Sequence, residues 1–475
     1  MTDDVFGSAS AALRLPKLAF VIPWYGPEIP GGAENLCREW AEHLAEAGFE
    51  VEVLTTTIKE FQSNWNESYH KPGEYPENGV LVRRFPLRRG DHSAFNYIND
   101  KLLRGIPITP DEESKFLTEG PNSESLIDFI EAHRSEYLFF FIPYLFGTTY
   151  WGTRAAGRRS VLIPCLHDES YARMAAMREM FVSAGGVIFN SHPEQSLAER
   201  LYGLKETKKL VLGMGLDTKA AGNAEAFRNK FGQKHPFILY VGRKDRTKNT
   251  DLLLEYFAQY KRDHPDSPLQ LLLVGKGDLR IADCGFRIAD FSTSDSGLRI
   301  ADSMVRDIAQ SESLGSEIGK DSILETKLDE QTRGTLKPET ANPPICNPKS
   351  EIRNREVHDL GFLKSQDKYN AYAAATVLCN PSTNESFSIV LMESWLCGTP
   401  VLVNSACAVT RDYVERSQGG LHFTDYYDFE ACLECLLQES DLRKAFATAG
   451  AEFVRANFSW ETLIARFSEW LKDFV

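Results

Sequence analysis

The stretch Asn380–Asn404, NPSTNESFSIVLMESWLCGTPVLVN, decides the fold. An apolar run ends at Pro381, a polar loop follows, and a helix is expected from near Ser386 to Ser388. Gly398 closes that helix, and a second apolar run opens at Val401. Strand, loop, helix and strand in so short a span form a unit of a parallel sheet covered on both faces. The helix start offers unpaired backbone N–H groups and the positive end of a dipole, a natural seat for a diphosphate. Glu385 lies just ahead of that start and Glu393 eight positions later, inside the helix. Such spacing spans roughly 12 Å, about the reach from a sugar ring to the ribose of its nucleotide. Carboxylates hydrogen-bond vicinal hydroxyls well, so one glutamate could hold each end. The plainer alternative makes both glutamates solvent-facing helix charges.

Upstream, FILYVGR, LQLLLVG and TVLCNPS join TPVLVNS as four strand-like runs beginning near Pro236. VGRKDRTKN places Arg243 directly after a strand and Lys248 five residues on, ahead of a helix from near Asp251. Two cations at a cleft mouth, facing a helix N-terminus, would neutralise a departing diphosphate. A pair of surface charges is the alternative. LLLVGKGD ends its strand with glycines, and Gly275 would let a ligand approach the backbone.

The first half alternates in the same way. LAFVIP, a WYGPEIPGG loop, and a helix carrying Leu36, Trp40 and Leu44 up to Gly48 precede the strand VEVLTT. VLIPCLHD (161–168) and GVIFNS (186–191) read as buried strands, and His167 with Asp168 reads, taken alone, as a capped strand end. The apolar run Tyr137–Tyr150 contains Pro143 and falls short of the ~20 residues a membrane span needs; it reads as a buried strand and loop. The expected organisation is a flexible tail at 1–16, a Rossmann-like domain at 17–213 and a second at 214–457. Segment 458–475 is expected as an amphipathic helix packing back on the first domain, with Trp460 and Trp470 on its apolar side. Two doubly wound α/β sheets imply a ligand cleft where the carboxyl ends of their strands face each other.

A chain of 475 residues exceeds what one core usually supports. The net charge of −14 argues against broad affinity for nucleic acid or an anionic membrane, although a local basic pocket is compatible with it. Nine scattered cysteines and no leader pattern fit reduced thiols in the cytoplasm. Cys432 and Cys435 read as core-facing residues of a helix with no strand immediately before it. After Asp278 come LRIAD, FRIAD and LRIAD, then a polar tract to about Glu356. Units this short cannot stack a core, for which ~20 residues are needed. Residues 279–355 therefore read as a low-complexity, disordered surface insertion, tolerated because lengthening a loop costs little entropy. A folded regulatory hairpin is the sharper alternative.

Together these residues resemble the family-4 group of glycosyltransferases with the GT-B fold, over nearly the whole chain outside the insertion and the tail, and most strongly from Val357 to Val403. The family's two glutamates separated by seven residues match Glu385 and Glu393, followed by GTPVLV. Its basic pair maps onto Arg243 and Lys248, and its Gly-Gly loop onto Gly31 and Gly32. Gly275 matches a donor-side glycine. The turn before the short strand that frames the base maps onto Gly361, Phe362 and Leu363. His167 and Asp168 match a pair near the sugar and acceptor, and Phe189–Ser191 with Glu194 the next strand and turn. Many members carry glycine where this chain has Ser388.

The resemblance implies a retaining transfer from a nucleotide-diphosphate sugar to a hydroxyl of a glycan, lipid-linked or small-molecule acceptor. Arg243, Lys248 and the amides of Ser386, Phe387 and Ser388 would stabilise the leaving diphosphate, Glu385 would orient the sugar and Glu393 would hold the ribose. Residues 64–120 are idiosyncratic and would shape the acceptor site. No Asp-x-Asp triplet occurs, so no metal and no cofactor are expected. A cytoplasmic protein with at most weak peripheral contact at the inner membrane face fits this reading. A nucleotide-sugar epimerase, or a non-catalytic glycan or nucleotide-sugar binding protein on the same fold, remain its rivals.

Overall fold

A computed structural model describes residues 16–29, 31–61, 63–277 and 356–474. The insertion at 279–355, with the hairpin alternative considered for it, and residues 1–15 of the tail lie outside the described residues.

Two sheets organise the chain. The first contains β1 (Lys17–Val21), β2 (Val51–Thr56), β3 (Gly73–Glu77), β4 (Val80–Phe85), β5 (Tyr137–Phe141), β6 (Ser160–Leu162), β7 (Gly186–Phe189) and β8 (Lys208–Val211). Their order is β3-β4-β2-β1-β5-β6-β7-β8, parallel throughout except for the β3–β4 hairpin. The second contains β9 (Phe237–Val241), β10 (Gln270–Val274), β11 (Val357–Asp359), β12 (Val377–Asn380), β13 (Val401–Asn404) and β14 (Gly420–Phe423). Its order is β11-β10-β9-β12-β13-β14, all parallel. In each sheet the strand order reverses beside the first strand, between β1 and β5 and between β9 and β12. Ligands of open α/β sheets bind outside the carboxyl ends of strands at such reversals. The loops that leave β1, β9 and β12 are the Gly31–Gly32, Arg243–Lys248 and Glu385–Ser388 segments.

Helices cover the sheets, some along an apolar stripe and some, such as Ile389–Leu396, buried almost all round. The helix Gly32–Glu46 buries Leu36, Cys37, Trp40, Ala41 and Leu44, a spacing of three and four that places them on one face. The C-terminal helix Trp460–Leu471 starts at Ser459, whose hydroxyl accepts the Thr462 N–H, and buries Trp460, Leu463, Phe467 and Trp470. It lies against the first sheet: Trp460 meets Trp40 edge-on at 5.3 Å and Phe467 meets Phe140 at 5.6 Å. Burying a large aromatic is worth roughly 1.5–3 kcal/mol, so these contacts tie the chain end firmly to its first half. Where the halves join, Trp40 Nε1 donates to the Gly213 carbonyl at 3.1 Å and Leu216 N–H to the Phe458 carbonyl at 2.9 Å.

Three expectations need correction. The VLIPCLHD strand stops at Leu162, and His167 and Asp168 lie in the following loop. Cys432 and Cys435 are both half-buried on the helix Tyr426–Gln438, Cys432 packing against the core of the second sheet, and β14 closely precedes that helix. The donor-side helix begins at Ile389, one residue past the expected start.

Candidate active site

The loop after β9 continues the sheet pairing, with Gly242 N–H on the Val274 carbonyl and Lys244 N–H on the Lys276 carbonyl. Asp245 then accepts the Lys248 N–H and closes one turn of 3-10 helix, Arg246–Lys248. Asn249, left-handed at φ 50°, turns the chain into the helix Thr250–Asp263. This geometry aims Lys248 at the loop after β12. Its ammonium lies 2.7 Å from Glu385 Oε1 and 3.4 Å from the Asn384 carbonyl, while Asn249 Nδ2 donates to the Pro381 carbonyl at 3.3 Å.

Ser388 precedes the helix Ile389–Leu396 at φ 63°, the left-handed conformation that glycine adopts at least cost. A non-glycine residue in that region costs about 1–2 kcal/mol. Here the serine hydroxyl accepts a hydrogen bond from Asn380 Nδ2 at 2.9 Å, which offsets part of it. No side chain caps the helix; Leu391 N–H turns back to the Ser388 carbonyl at 3.2 Å, and the amides ahead of it have no side-chain acceptor. Phe387 is buried against Tyr413 and Phe458.

The basic pair divides. Arg243 has 67% of its side chain exposed and turns to Thr247 Oγ1 (3.4 Å) and Asp245 (3.5 Å) on its own loop, so Lys248 alone meets Glu385. Between them Lys244, a residue the sequence reading passed over, is buried and held by both oxygens of Asp359 at 2.6 Å. Asp359 also accepts the Gly361 N–H at 2.9 Å and so shapes the Gly361–Leu363 turn, which follows the short strand β11 rather than preceding one. Gly275 donates its N–H to the Gly361 carbonyl at 2.8 Å. A Cβ on Gly275, at φ 136°, would sit 1.9 Å from the Gly242 carbonyl, which only glycine tolerates. Phe362 is 70% exposed beside this turn, with the Lys276 ammonium 5.7 Å from its ring, and Leu363 packs inward. An exposed aromatic ring beside glycine-lined backbone is a surface on which a nucleotide base can stack.

Neither glutamate is a solvent-facing helix charge. Glu385 keeps 14% of its side chain exposed and Glu393 only 7%. Glu393 Oε1 pairs with Lys368 at 2.7 Å and Oε2 accepts the Tyr372 hydroxyl at 2.9 Å. Burial, then the Glu393 charge, pushes the Tyr372 hydroxyl well above its usual pKa and keeps it a donor. Lys368 and Tyr372 sit one turn apart on the helix Ser365–Ala374, and that i,i+4 spacing is the signal that could have paired them in advance.

From the first sheet, Gly31 and Gly32 begin the helix after β1, both exposed. A Cβ on Gly31 would strike the Glu34 carboxylate at 1.8 Å, and Glu34 in turn accepts the Trp24 indole N–H. The loop after β6 carries His167 toward the second half, where it senses Lys248, Glu385 and Asn384. Burial and then the Lys248 charge lower its pKa to about 4, Glu385 acting in the opposite sense, so the imidazole is neutral at physiological pH. Its Nδ1 is buried without a hydrogen-bond partner. Asp168 parts from it: it is exposed and ion-paired with Arg173 (2.5 Å) and Arg200 (3.3 Å).

Glu194 holds the His167 loop. Its carboxyl is buried and accepts the N–H of Leu166 at 2.6 Å through one oxygen and that of Asn190 through the other. Burial raises its pKa to about 8 against those N–H groups. Between pH 4.5 and 8 the unfolded chain therefore releases a proton that the folded chain keeps, and stability falls as pH rises. Glu194→Gln is expected to remove that slope. It should also cost about 1–3 kcal/mol, because its amide NH2 would face a backbone N–H, and lower kcat through the His167 loop. Urea unfolding at several pH values, with turnover beside it, measures both; an unchanged slope and unchanged kcat would exclude this role.

Two facing parallel α/β domains, with cations and uncapped helix amides at a strand-order reversal, define an enzyme of the GT-B architecture. Residues 348–453 match the family model described as Glycosyl transferases group 1. D-inositol 3-phosphate glycosyltransferase of Corynebacterium urealyticum is 23% identical over 92% of this chain and 90% of its own length. Among solved structures, HepE of Anabaena in complex with UDP-glucose superposes with a TM-score of 0.59 at 16% identity, over 96% of this chain and 100% of that one. An alpha,alpha-trehalose 6-phosphate synthase from Burkholderia multivorans superposes at 0.62 with 11% identity, over 97% of both. The chain is a glycosyltransferase of the GT-B fold, and its residues 348–453 are similar to the group 1 enzymes. Among the described residues no helix is long and apolar enough to cross a membrane.

Proposed function

We propose that the chain moves a sugar, with retention of anomeric configuration, from a nucleotide-diphosphate sugar to a hydroxyl of a glycan, lipid-linked or small-molecule acceptor. The observation that carries this reading is the Lys248–Glu385 pair at the uncapped start of the Ile389–Leu396 helix, with His167 opposite. In such a transfer the sugar gains oxocarbenium character as negative charge gathers on the leaving diphosphate. Lys248 would give up part of its contact with Glu385 to the diphosphate, and the amides near Phe387 and Ser388 would take its oxygens. Glu385 would then be free to accept sugar hydroxyls. His167, neutral, would hydrogen-bond the sugar without adding a charge beside the developing cation.

Glu393, already bound by Lys368 and Tyr372, would meet the ribose with its remaining lone pairs while Lys368 supports it. Gly275, Gly361, Phe362 and Leu363 would frame the base. HepE, named as a complex with UDP-glucose, supports a uridine donor as the first to test, and D-inositol 3-phosphate, named in a relative, belongs among the first acceptors. We propose further that no metal and no cofactor take part, Lys248 and the amides carrying the neutralisation; turnover unchanged in excess EDTA is the expected result, and loss restored by a divalent cation would overturn it.

The test of the main reading is a nucleotide-sugar panel with and without acceptors, products resolved by anomer-sensitive NMR. A glycoside of unchanged configuration and release of the nucleoside diphosphate are expected. An inverted product would end the retaining mechanism. Free nucleotide with an altered sugar and no need for acceptor would mark an epimerase, and donor binding with no turnover a binding protein.

A further inference from the structure

The two halves meet again away from the Lys248–Glu385 pair. A crevice of about 260 Å³ opens between the turn after β7, the helix Ala408–Ser417 and the C-terminal helices. Asn190 and His192 line it from the first half, Tyr413 and Arg416 from the second, and Asn457 and Arg466 from the C-terminal segment. Two guanidinium groups and an imidazole around one small space are a local reversal of sign in a chain of net charge −14.

Their charges are poorly compensated. Arg416 has one acid, Asp412, at 3.4 Å, and stacks its guanidinium 5.4 Å from the Phe453 ring. Arg466 donates to the Val211 carbonyl at 2.6 Å, and among the described residues no carboxylate pairs with it. Burial and the Arg416 charge lower the pKa of Arg466, and burial followed by Arg416 lowers that of His192, although Asp412 opposes the shift on the histidine. Cations gathered around one crevice are stabilised by an anion placed between them. Guanidinium forks fit phosphate oxygens in pairs, which lysine cannot do. A volume below the ~300–1,000 Å³ of drug-sized sites suits a small anion.

We propose that this crevice is a binding site for a phosphoryl group, free or carried by a small phosphorylated metabolite, held by Arg416 and Arg466 with His192 at its rim. The bound anion bridges the two halves, since His192 follows β7 of the first sheet and Arg416 belongs to the second half. It also lies behind the donor side. Tyr413 donates to the Asn190 carbonyl at 3.2 Å, and the Tyr413 and Phe458 rings pack on Phe387 at 6.0 and 5.3 Å, next to Ser388. Binding here therefore couples to donor affinity, and donor binding to anion affinity by the same factor.

The experiment is calorimetric titration of the full chain with inorganic phosphate, repeated with glucose 6-phosphate and with sulfate. It is run on a Lys248→Ala background so that the diphosphate site contributes little. Saturable binding is expected, weakened at least tenfold by Arg466→Ala and by Arg416→Ala, with Arg466→Lys intermediate and serving as a check that the fold survives. Tighter binding of glucose 6-phosphate than of phosphate assigns a metabolite, and equal binding assigns free phosphate. No saturable binding, or binding unchanged in both alanine variants, overturns the proposal. The readout is binding alone, so its failure leaves the transfer reading standing, and failure of transfer leaves this site standing.

Discussion

Lys248→Ala is expected to lower kcat by about 100-fold or more, roughly 2.7 kcal/mol of transition-state stabilisation. The argument is geometric. Lys248 is the cation that the β9 loop delivers to the helix start carrying Glu385, held there by the Asp245-capped turn and by Asn249 on the Pro381 carbonyl. In the ground state its charge is balanced by Glu385 at 2.7 Å, so substrate binding gains little from it. When negative charge builds on the leaving diphosphate the balance tips, and the contribution appears in kcat rather than in donor KM. Arg243 provides the contrast. It is largely exposed and bound only to its own loop, so Arg243→Ala should cost about tenfold, a partly screened contact. Removing Lys248 leaves a largely buried carboxylate unpaired, so a loss of stability accompanies it; Lys248→Ala,Glu385→Gln, which removes both charges, recovers the stability but not the rate. Steady-state kinetics beside thermal unfolding of the three variants checks this. A kcat within threefold of the parent for Lys248→Ala, or an Arg243→Ala loss that exceeds it, would sink the assignment.

Much of this arrangement is legible from residue order because it depends on local chemistry. The run from β12 to β13 announces itself: two apolar strands, a polar loop, an apolar helix and a closing glycine, all within one βαβ unit. Elements with little apolar content do not. β11 is three residues, VHD, β14 reads GLHF, and the hairpin strand β3 is GEYPE, mostly exposed; their backbone pairing is dictated by neighbours far along the chain rather than by their own pattern. The site divides along the same line. The Glu385–Glu393 spacing and the position of Lys248 are visible, yet the groups that hold them are not. Lys244 reads as one more surface charge until Asp359, 115 residues away, is seen to bind it. A buried lysine is tolerable only with such a partner, and sequence order conceals who the partner is. His167 and Asp168 show the converse: adjacent residues in the loop after β6 turn opposite ways, one toward Lys248 and Glu385 and one to arginines on the surface, which no spacing rule separates.

His167→Ala is expected to reduce kcat by about 100-fold, the lower end of what one positioned hydrogen-bonding group contributes in the transition state. A neutral histidine in this place is unusual in one measurable way: the residues that set its pKa are the ones proposed to do the chemistry. Burial and the Lys248 ammonium hold it at about 4 while Glu385 pulls it up. Removing the ammonium by Lys248→Ala must therefore raise the His167 pKa toward its ordinary value, and removing the carboxylate by Glu385→Gln must lower it further. The parent's folded state also binds no proton at His167 between its pKa of about 4 and the ordinary histidine value of 6.5, whereas the unfolded chain does. By linkage its contribution to stability is complete above that window and is lost as pH falls through it. The His167 ring resonance, followed by NMR through a pH titration of the parent and both variants, reads these shifts directly. If the two substitutions fail to move it in opposite directions, His167 does not face Lys248 and Glu385 across the cleft, and the catalytic constellation proposed for the enzyme loses its first-domain member.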